Sequence, residues 1–231
     1  MTPAELFQMM EATWPPARTW TQGAVTLREG AGGGQRVSAA SVRDAFTDAD
    51  IMAAETAMGN RLFLVQQGQD ALDAALAGRG YRLHDPVVVY AADTGRLTGD
   101  LPPLAAFAHW PPLQIARDIW AEGGIGPARV AVMDRVTGPK TAVLARHDDR
   151  PAGMVFVAMH KTDAMIHAVD VRPALRRRGV GTVLVRAAAN WAAEQGARRM
   201  MLAVTEQNIA ARALYAFLGM EAVGQIGRAH V

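Results

Sequence analysis

Three consecutive arginines followed by two glycines form the segment of this chain with the clearest chemical potential. The apolar spacing after them predicts a helix that begins at Val180. Free backbone N–H groups and the positive end of the helix dipole attract anions at such a start. Glycine lets a phosphate oxygen approach the backbone, and arginine adds charge and forked donors. A phosphate-binding loop is therefore predicted in the segment Arg176-Arg177-Arg178-Gly179-Val180-Gly181-Thr182.

Two common phosphate loops do not fit this segment. A P-loop requires Gly-Lys followed by Ser or Thr, whereas Gly181 is followed by Thr182 and Val183. A dinucleotide fingerprint requires a small residue three places after Gly181, and Leu184 stands there. The pattern that remains is Arg-x-x-Gly-x-Gly.

Charge is distributed unevenly along the 231 residues, whose net charge is +2. Residues 1–112 hold 8 Lys and Arg against 12 Asp and Glu, whereas residues 113–231 hold 16 against 10. The basic second half suggests an anionic partner, either nucleic acid or a phosphorylated small molecule. No aromatic residue lies between positions 172 and 190, which disfavours nucleic acid.

The apolar pattern of the second half predicts strands at 142–146, 153–159 and 164–171, joined by short polar turns as an antiparallel meander. A helix and a further strand at 199–204 follow, which makes a βαβ unit with two parallel strands. A last helix is predicted to begin after Asn208, a good N-cap residue.

That last helix is predicted to end before Gly219, and its inward stripe is predicted to be Ala210, Leu214, Phe217 and Leu218. Few residues remain after it for the final strands. The sheet edge there is expected either to be short or to be completed by the first half or by another subunit.

The first half is less regular, and its glycine run Gly30-Ala31-Gly32-Gly33-Gly34-Gln35 is interpreted as a turn between strands at 24–29 and 36–40. Further elements are predicted in the order helix 50–58, strand 61–65, helix 70–77 and strand 86–91.

A weak internal echo links residues 71–76 with residues 213–218, and Trp-Pro-Pro occurs at positions 14 and 110. Residues 1–112 are therefore interpreted as a degenerate copy or accessory α/β domain, and residues 113–231 as a second domain.

The Arg-x-x-Gly-x-Gly segment resembles the signature of the GCN5-related N-acetyltransferase (GNAT) superfamily. The preceding Val169-Asp170-Val171-Arg172-Pro173 resembles that family's fourth strand and its exit. The later Asn208-x-x-Ala211-x-x-Leu214-Tyr215-x-x-x-Gly219-Met220 resembles its later helix motif. The resemblance covers about half of the chain. It implies an α/β fold with a mixed, mostly antiparallel sheet around one central parallel βαβ pair flanked by helices.

The resemblance also implies that acetyl-coenzyme A lies between the fourth and fifth strands. Its pyrophosphate would bind the arginine–glycine loop, defined as residues 176–182, and its pantetheine arm would pair with the main chain of two valines. Asn208 would hydrogen-bond pantetheine, and the small Ala211 would let it pass. The residues expected to bind the cofactor are Val169, Val171, Arg176, Arg177, Arg178, Gly179, Val180, Gly181, Thr182, Asn208 and Ala211.

Two catalytic residues are predicted. The resemblance assigns to Tyr215 the protonation of the leaving thiolate, and its spacing puts it on one helix face with Asn208 and Ala211. Strand alternation predicts that His167 shares a face with Val169 and Val171, and its usual pKa suits a general base. A water chain or Glu206 are alternatives. The acceptor is expected to contact residues 113–133.

These observations favour an N-acetyltransferase that uses acetyl-coenzyme A and no metal, with a small-molecule or peptide amine as acceptor. A non-catalytic acyl-coenzyme A-binding module is the alternative. Cysteine is absent, which excludes disulfides and thiolate metal sites. Neither a signal peptide nor a membrane span is recognised, so a cytoplasmic protein without nucleic-acid or membrane partners is expected, and a homodimer is compatible with the sequence.

Overall fold

The computed structural model describes residues 2–43, 45–59 and 61–230, and for residues 227–230 only the backbone. The first half of the chain contains α1 (Pro3–Thr13), β1 (Arg18–Gln22), β2 (Val25–Glu29), β3 (Ala40–Val42), α2 (Asp48–Ala57), β4 (Leu62–Gln66), α3 (Asp70–Gly78), β5 (Arg82–Asp93), α4 (Thr94–Leu97) and β6 (Ala106–His109). The second half contains α5 (Gln114–Glu122), α6 (Pro127–Asp134), β7 (Lys140–His147), β8 (Arg150–His160), β9 (Asp163–Val171), α7 (Val180–Glu194), β10 (Arg199–Thr205), α8 (Ile209–Phe217) and β11 (Glu221–His230).

All of these strands lie in one sheet, in the order β1-β2-β3-β4-β11-β5-β10-β9-β8-β7-β6. Two neighbouring pairs are parallel, β3 with β4 and β9 with β10, and the other pairs are antiparallel. The predicted mixed, mostly antiparallel sheet and the meander of β7, β8 and β9 are confirmed. The predicted βαβ unit of β9, α7 and β10 is also confirmed.

The two halves repeat one topology and exchange their last strands. Each half has two antiparallel strands, then a helix, then a strand parallel to the preceding one: β2, β3, α2 and β4 in the first, and β8, β9, α7 and β10 in the second. After α3, β5 pairs with β10, and after α8, β11 pairs with β4. The first half therefore completes the sheet of the second. The division into two domains near residue 112 stays a prediction.

Both faces of the sheet are covered because the strands of the second half alternate apolar side chains on both sides. Val155 and Val157 of β8 pack with Leu184 of α7 on one face. Phe156 of the same strand packs on the opposite face with Trp120 of α5. None of the described helices is long and apolar enough to cross a bilayer.

The predicted strand at 36–40 is wrong. Gln35–Val37 forms a 3₁₀ turn, and β3 begins only at Ala40. The glycine run does connect β2 to β3, but it packs against α6. A Cβ at Gly33 would clash with the side chain of Val132, so the glycine is required by this close approach. The elements α1, β1, α4, β6, α5 and α6 were not predicted from the sequence.

Candidate active site

The parallel strands β9 and β10 are paired along part of their length only. Their register runs from Asp163↔Arg199 to Ile166↔Leu202, and beyond these pairs the two strands separate. We call this opening the fork. Beyond Ile166 the main chain of β9 therefore has no pairing with β10.

A β-bulge lies in β9 directly after the fork opens. The pairing with β8 shifts between Met154↔Asp170 and Phe156↔His167, and Ala168 has φ 52°, in the left-handed region. The indole N–H of the fully buried Trp120 donates to the Ala168 carbonyl at 2.9 Å. A bulge of one residue reverses the alternation of side chains along a strand.

The prediction that His167 shares a face with Val169 and Val171 is wrong because of this bulge. The two valines pack toward α7. His167 lies on the opposite face, where its ring stacks on Trp14 with 5.0 Å between the ring centroids. No signal in the sequence analysis indicated the extra residue.

A cleft of about 680 Å³ opens on the face of the fork that carries Val169 and Val171, and we call it the cofactor cleft. Leu175 and Phe217 also line it. Arg178 does not, although it was expected to bind the cofactor, and it lies exposed on the surface. The other residues expected there line the cleft together with Tyr215: Val169, Val171, Arg176, Arg177, Gly179, Val180, Gly181, Thr182, Asn208 and Ala211.

The start of α7 presents unpaired backbone N–H groups to this cleft. Its N-cap, Gly179, has φ 80°, and no side chain caps the helix. Arg177 also has a positive φ, of 61°. Alternating left- and right-handed residues turn successive N–H groups to one side, which makes a concave anion site. Gly181 serves packing as well, because a Cβ there would lie 2.8 Å from Cδ2 of Leu214.

The arginines around the loop differ in how they are held. Arg172 makes two hydrogen bonds to the Glu122 carboxylate, at 2.7 and 2.9 Å, which raises the pKa of Arg172 and lowers that of Glu122. The Arg176 side chain donates to the Val171 carbonyl at 3.0 Å. Arg177 makes no hydrogen bond or ion pair with the described residues. Its charge therefore remains available to an anion in the cleft.

Asp170 is a carboxylate in the cofactor cleft that the sequence analysis did not single out. Burial raises its pKa, which the Arg176 guanidinium, 4.0 Å from the carboxylate, partly offsets. The carboxylate packs against Gly123 at the end of α5, where a Cβ would clash with it.

The helix α8 forms the opposite wall of the cofactor cleft. The Asn208 side chain accepts a hydrogen bond from the Ala211 N–H at 3.1 Å, so it caps the helix as its residue type predicts. Tyr215 is buried, and burial raises its pKa to about 12. Phe217, predicted to face inward, is 81% exposed, because the buried face of α8 is centred on Tyr215.

A second cavity, of about 540 Å³, lies on the other face of the fork. Its floor is formed by His167, Ala168, Ala203 and Thr205. Of the segment 113–133, where the acceptor was expected to bind, Ile125 and Arg129 contribute. The first half supplies a further group of lining residues that the sequence analysis missed: Trp14, Gly33, Gly34, Gln35, Arg36, Asp85 and Val87.

Hydrogen bonds define the tautomer of His167. The Thr13 hydroxyl donates to the Met9 carbonyl at 2.8 Å, so its oxygen accepts from His167 Nε2 at 2.8 Å. Nδ1 therefore carries the lone pair. Burial first, and the Arg36 charge second, hold the pKa of His167 well below 6.5. Glu206, the alternative base, lies outside both cavities and accepts from Gln225 at 3.0 Å.

The comparisons with known proteins agree with this architecture. The sequence model of the Acetyltransferase (GNAT) family matches residues 110–220. A GCN5-related N-acetyltransferase from Kribbella flavida superposes with a TM-score of 0.73 at 17% identity, over 99% of this chain and 95% of that chain. A tandem GNAT protein from the clavulanic acid biosynthesis pathway gives 0.62 at 16% identity, over 94% and 84%. At these identities the likeness establishes the fold.

A protein of unknown function from Staphylococcus epidermidis has the same fold, with a TM-score of 0.69 at 10% identity, over 95% of this chain and 96% of that chain. No curated protein sequence matches the chain. Within the described residues, no three His, Asp or Glu side chains are grouped in a way that holds a metal ion.

Proposed function

We propose that the protein, whose residues 110–220 match the model of the GNAT family of acetyltransferases, transfers the acetyl group of acetyl-coenzyme A directly to a primary amine. One observation carries the proposal. The uncapped start of α7 faces a cleft that leads to the fork, and a second cavity faces the fork from the other side. An acyl donor and an acceptor can therefore meet from opposite faces of the sheet.

The donor is held by main-chain and charged groups. The N–H groups at the start of α7 and the Arg177 guanidinium bind the pyrophosphate. The main chain of Val169 and Val171 pairs with the pantetheine arm as an added strand. Arg176 must then release the Val171 carbonyl if that oxygen is to accept from the cofactor.

The chemistry needs one proton acceptor and one proton donor. As the C–N bond forms, the amine nitrogen loses a proton, and the neutral Nδ1 of His167 accepts it. The C–S bond of the thioester breaks, and the sulfur takes the Tyr215 hydroxyl proton. With a pKa raised to about 12, the Tyr215 hydroxyl stays protonated at neutral pH. It therefore always carries the proton that it donates.

The test is thiol release from acetyl-coenzyme A in the presence of a panel of primary amines and peptides. The chain contains no cysteine, so every thiol detected comes from the cofactor. Tyr215→Phe should lower kcat at least 10-fold and leave the KM for acetyl-coenzyme A within about twofold, because it removes only the proton donor. Arg176→Ala/Arg177→Ala should raise that KM at least 10-fold, whereas Arg186→Ala, which changes an exposed arginine further along α7, should not.

The outcomes separate the enzyme from its alternative. Binding of acetyl-coenzyme A without thiol release with any amine would identify a non-catalytic acyl-coenzyme A-binding module. If acetyl-coenzyme A does not bind at millimolar concentration, the protein is neither the acetyltransferase nor the acyl-coenzyme A-binding module.

A further inference from the structure

The second cavity is lined by charged side chains that come from separate segments of the chain and were not predicted from the sequence. Arg36 follows the glycine run, Arg129 stands on α6, and Asp85 precedes β5's buried stretch. Two arginines and one aspartate thus surround a floor whose histidine is neutral. The halves of the chain build this cavity together.

Arg129 is the cation least engaged by the protein. It makes no hydrogen bond or ion pair with the described residues, and its side chain is exposed at the cavity wall. Its guanidinium lies beside the glycine run, because a Cβ at Gly34 would be in van der Waals contact with it, 3.5 Å from Nε and 3.6 Å from Nη2. The guanidinium therefore lies along the Gly34 backbone with donors left over.

Arg36 adds positive charge at the same site, close enough to His167 to affect its protonation. The cavity's carboxylate, Asp85, lies 3.5 Å from the His84 ring. Arg28 lies nearby, but its Nε donates to Glu11 at 2.8 Å, so that charge is neutralised.

This lining distinguishes between classes of amine. A polyamine or another polycation needs several carboxylates, and the cavity lining contains one. A long-chain amine needs an apolar wall, whereas here guanidinium groups and glycine backbone form much of the wall. Arginine presents paired donors that match the two oxygens of a carboxylate.

We propose, building on the function proposed above, that the acceptor is a small amine that also carries a carboxylate. Arg129 binds the carboxylate, in a positive field to which Arg36 contributes, and the amine nitrogen lies at the fork beside His167. The volume of about 540 Å³ suits a molecule of amino-acid to dipeptide size.

The test compares glycine, β-alanine, 4-aminobutyrate and 6-aminohexanoate with their carboxamides. The series varies the distance between the amine and the carboxylate, and each carboxamide removes the negative charge. For the best acid, kcat/KM should exceed that of its amide at least 10-fold. The amide lowers the pKa of the amine in the shorter compounds, which works against the expected result. Amides that equal or exceed the acids would overturn the proposal.

Arg129→Gln should lower kcat/KM for the best acid at least 10-fold and leave the value for its amide and the affinity for acetyl-coenzyme A within twofold. Arg150→Gln, an exposed arginine on β8 outside both cavities, is the control with the same loss of charge. Equal losses for acid and amide in Arg129→Gln would contradict a carboxylate contact.

A binding measurement keeps this proposal separate from the function proposed above. With coenzyme A present, the acids should raise the melting temperature and their amides should not, and Arg129→Gln should abolish the difference. If the acids bind in this way but no acetyl transfer occurs, the carboxylate site stands and the acetyltransferase proposal fails. If amides are acetylated as fast as acids, and acids and amides raise the melting temperature equally, the acetyltransferase proposal stands and the carboxylate site fails.

Discussion

The helices α2 and α7 occupy equivalent positions, because each connects two parallel strands of one half of the sheet. Their first turns differ. At the start of α2, the Thr47 hydroxyl accepts from the Asp50 N–H at 3.3 Å, and the Asp50 carboxylate accepts from the Thr47 N–H at 2.8 Å. At the start of α7 no side chain caps the helix after Gly179. In the first half, the Thr47 hydroxyl and the Asp50 carboxylate bond N–H groups at the helix start, whereas the second half leaves such groups for an anion.

The strands next to these helices differ as well. β9 has nine residues, a bulge at Ala168 and a fork, whereas β3 has three residues. In the sequence echo Asp73 of α3 stands where α8 has Tyr215. An active site is therefore expected only in the half that combines an uncapped helix start, a bulge and a fork. We expect no second active site in the first half.

The largest effect is expected when the start of α7 receives an acidic residue at the position that Asp50 occupies in α2. Thr182 is the third residue of α7, as Asp50 is of α2. Thr182→Asp should weaken acetyl-coenzyme A binding at least 100-fold, because a carboxylate would occupy the anion site and repel pyrophosphate at short range. The folded state should be as stable as before or slightly more so, because an acid at a helix start is favourable.

The matched control is Thr182→Asn, which has nearly the same shape without the charge. Its affinity for acetyl-coenzyme A, measured by calorimetric titration, should stay within about fivefold of the unchanged protein. If both variants bind equally, the start of α7 is not the anion site.

A smaller effect is expected at the bulge. Trp120→Phe removes the N–H that bonds the half-buried Ala168 carbonyl, which should cost about 1 kcal/mol of stability. We expect kcat to fall about 10-fold, since the bulge positions the main chain at the fork. Trp191→Phe, on α7, is the control in urea unfolding and in turnover assays. Unchanged turnover in Trp120→Phe would show that the bulge does not need this bond.

The smallest effect concerns pH. The pKa of His167 is lowered well below 6.5 by burial and by Arg36. Below pH 6.5 the unfolded chain binds a proton that the folded protein does not bind. Stability should therefore be constant above this pH and fall as the pH decreases, by at most ~1.4 kcal/mol per pH unit. Urea unfolding between pH 7.5 and 5 checks this.

His167→Gln should flatten the curve, because glutamine does not titrate. The carboxylates with lowered pKa, Glu5, Asp50 and Glu122, titrate below this window and do not obscure it. An unchanged slope in the variant would assign the proton uptake to another group.

The same contrast explains what the sequence predicted. In the second half, helix and strand positions followed from apolar period, from the Asn208 cap and from Gly179 and Gly181, all of which act locally. The arginine–glycine loop and the motif of α8 do meet in one cleft. The loop lies at the start of α7, and only the strand β10 separates α7 from α8. Arg178 is an exception, because charge type alone does not say which way a loop side chain points.

What the sequence did not predict depends on distant contacts. The carbonyl at the Ala168 bulge bonds Trp120, 48 residues away, and the second cavity is lined by Arg36 and Asp85 from the other half. The exchange of β5 and β11 likewise depends on pairing between remote strands. One missed element was readable: Thr2 and Glu5 form a capping box at the start of α1, with Thr2 N–H donating to Glu5 at 2.7 Å.

Calorimetric titration of the full chain with acetyl-coenzyme A shows whether the start of α7 is the anion site of the cofactor. We expect one binding site per chain, retained in Thr182→Asn and lost in Thr182→Asp. Two sites per chain would show that the first half also binds the cofactor, and no binding would contradict the assignment of the cleft altogether.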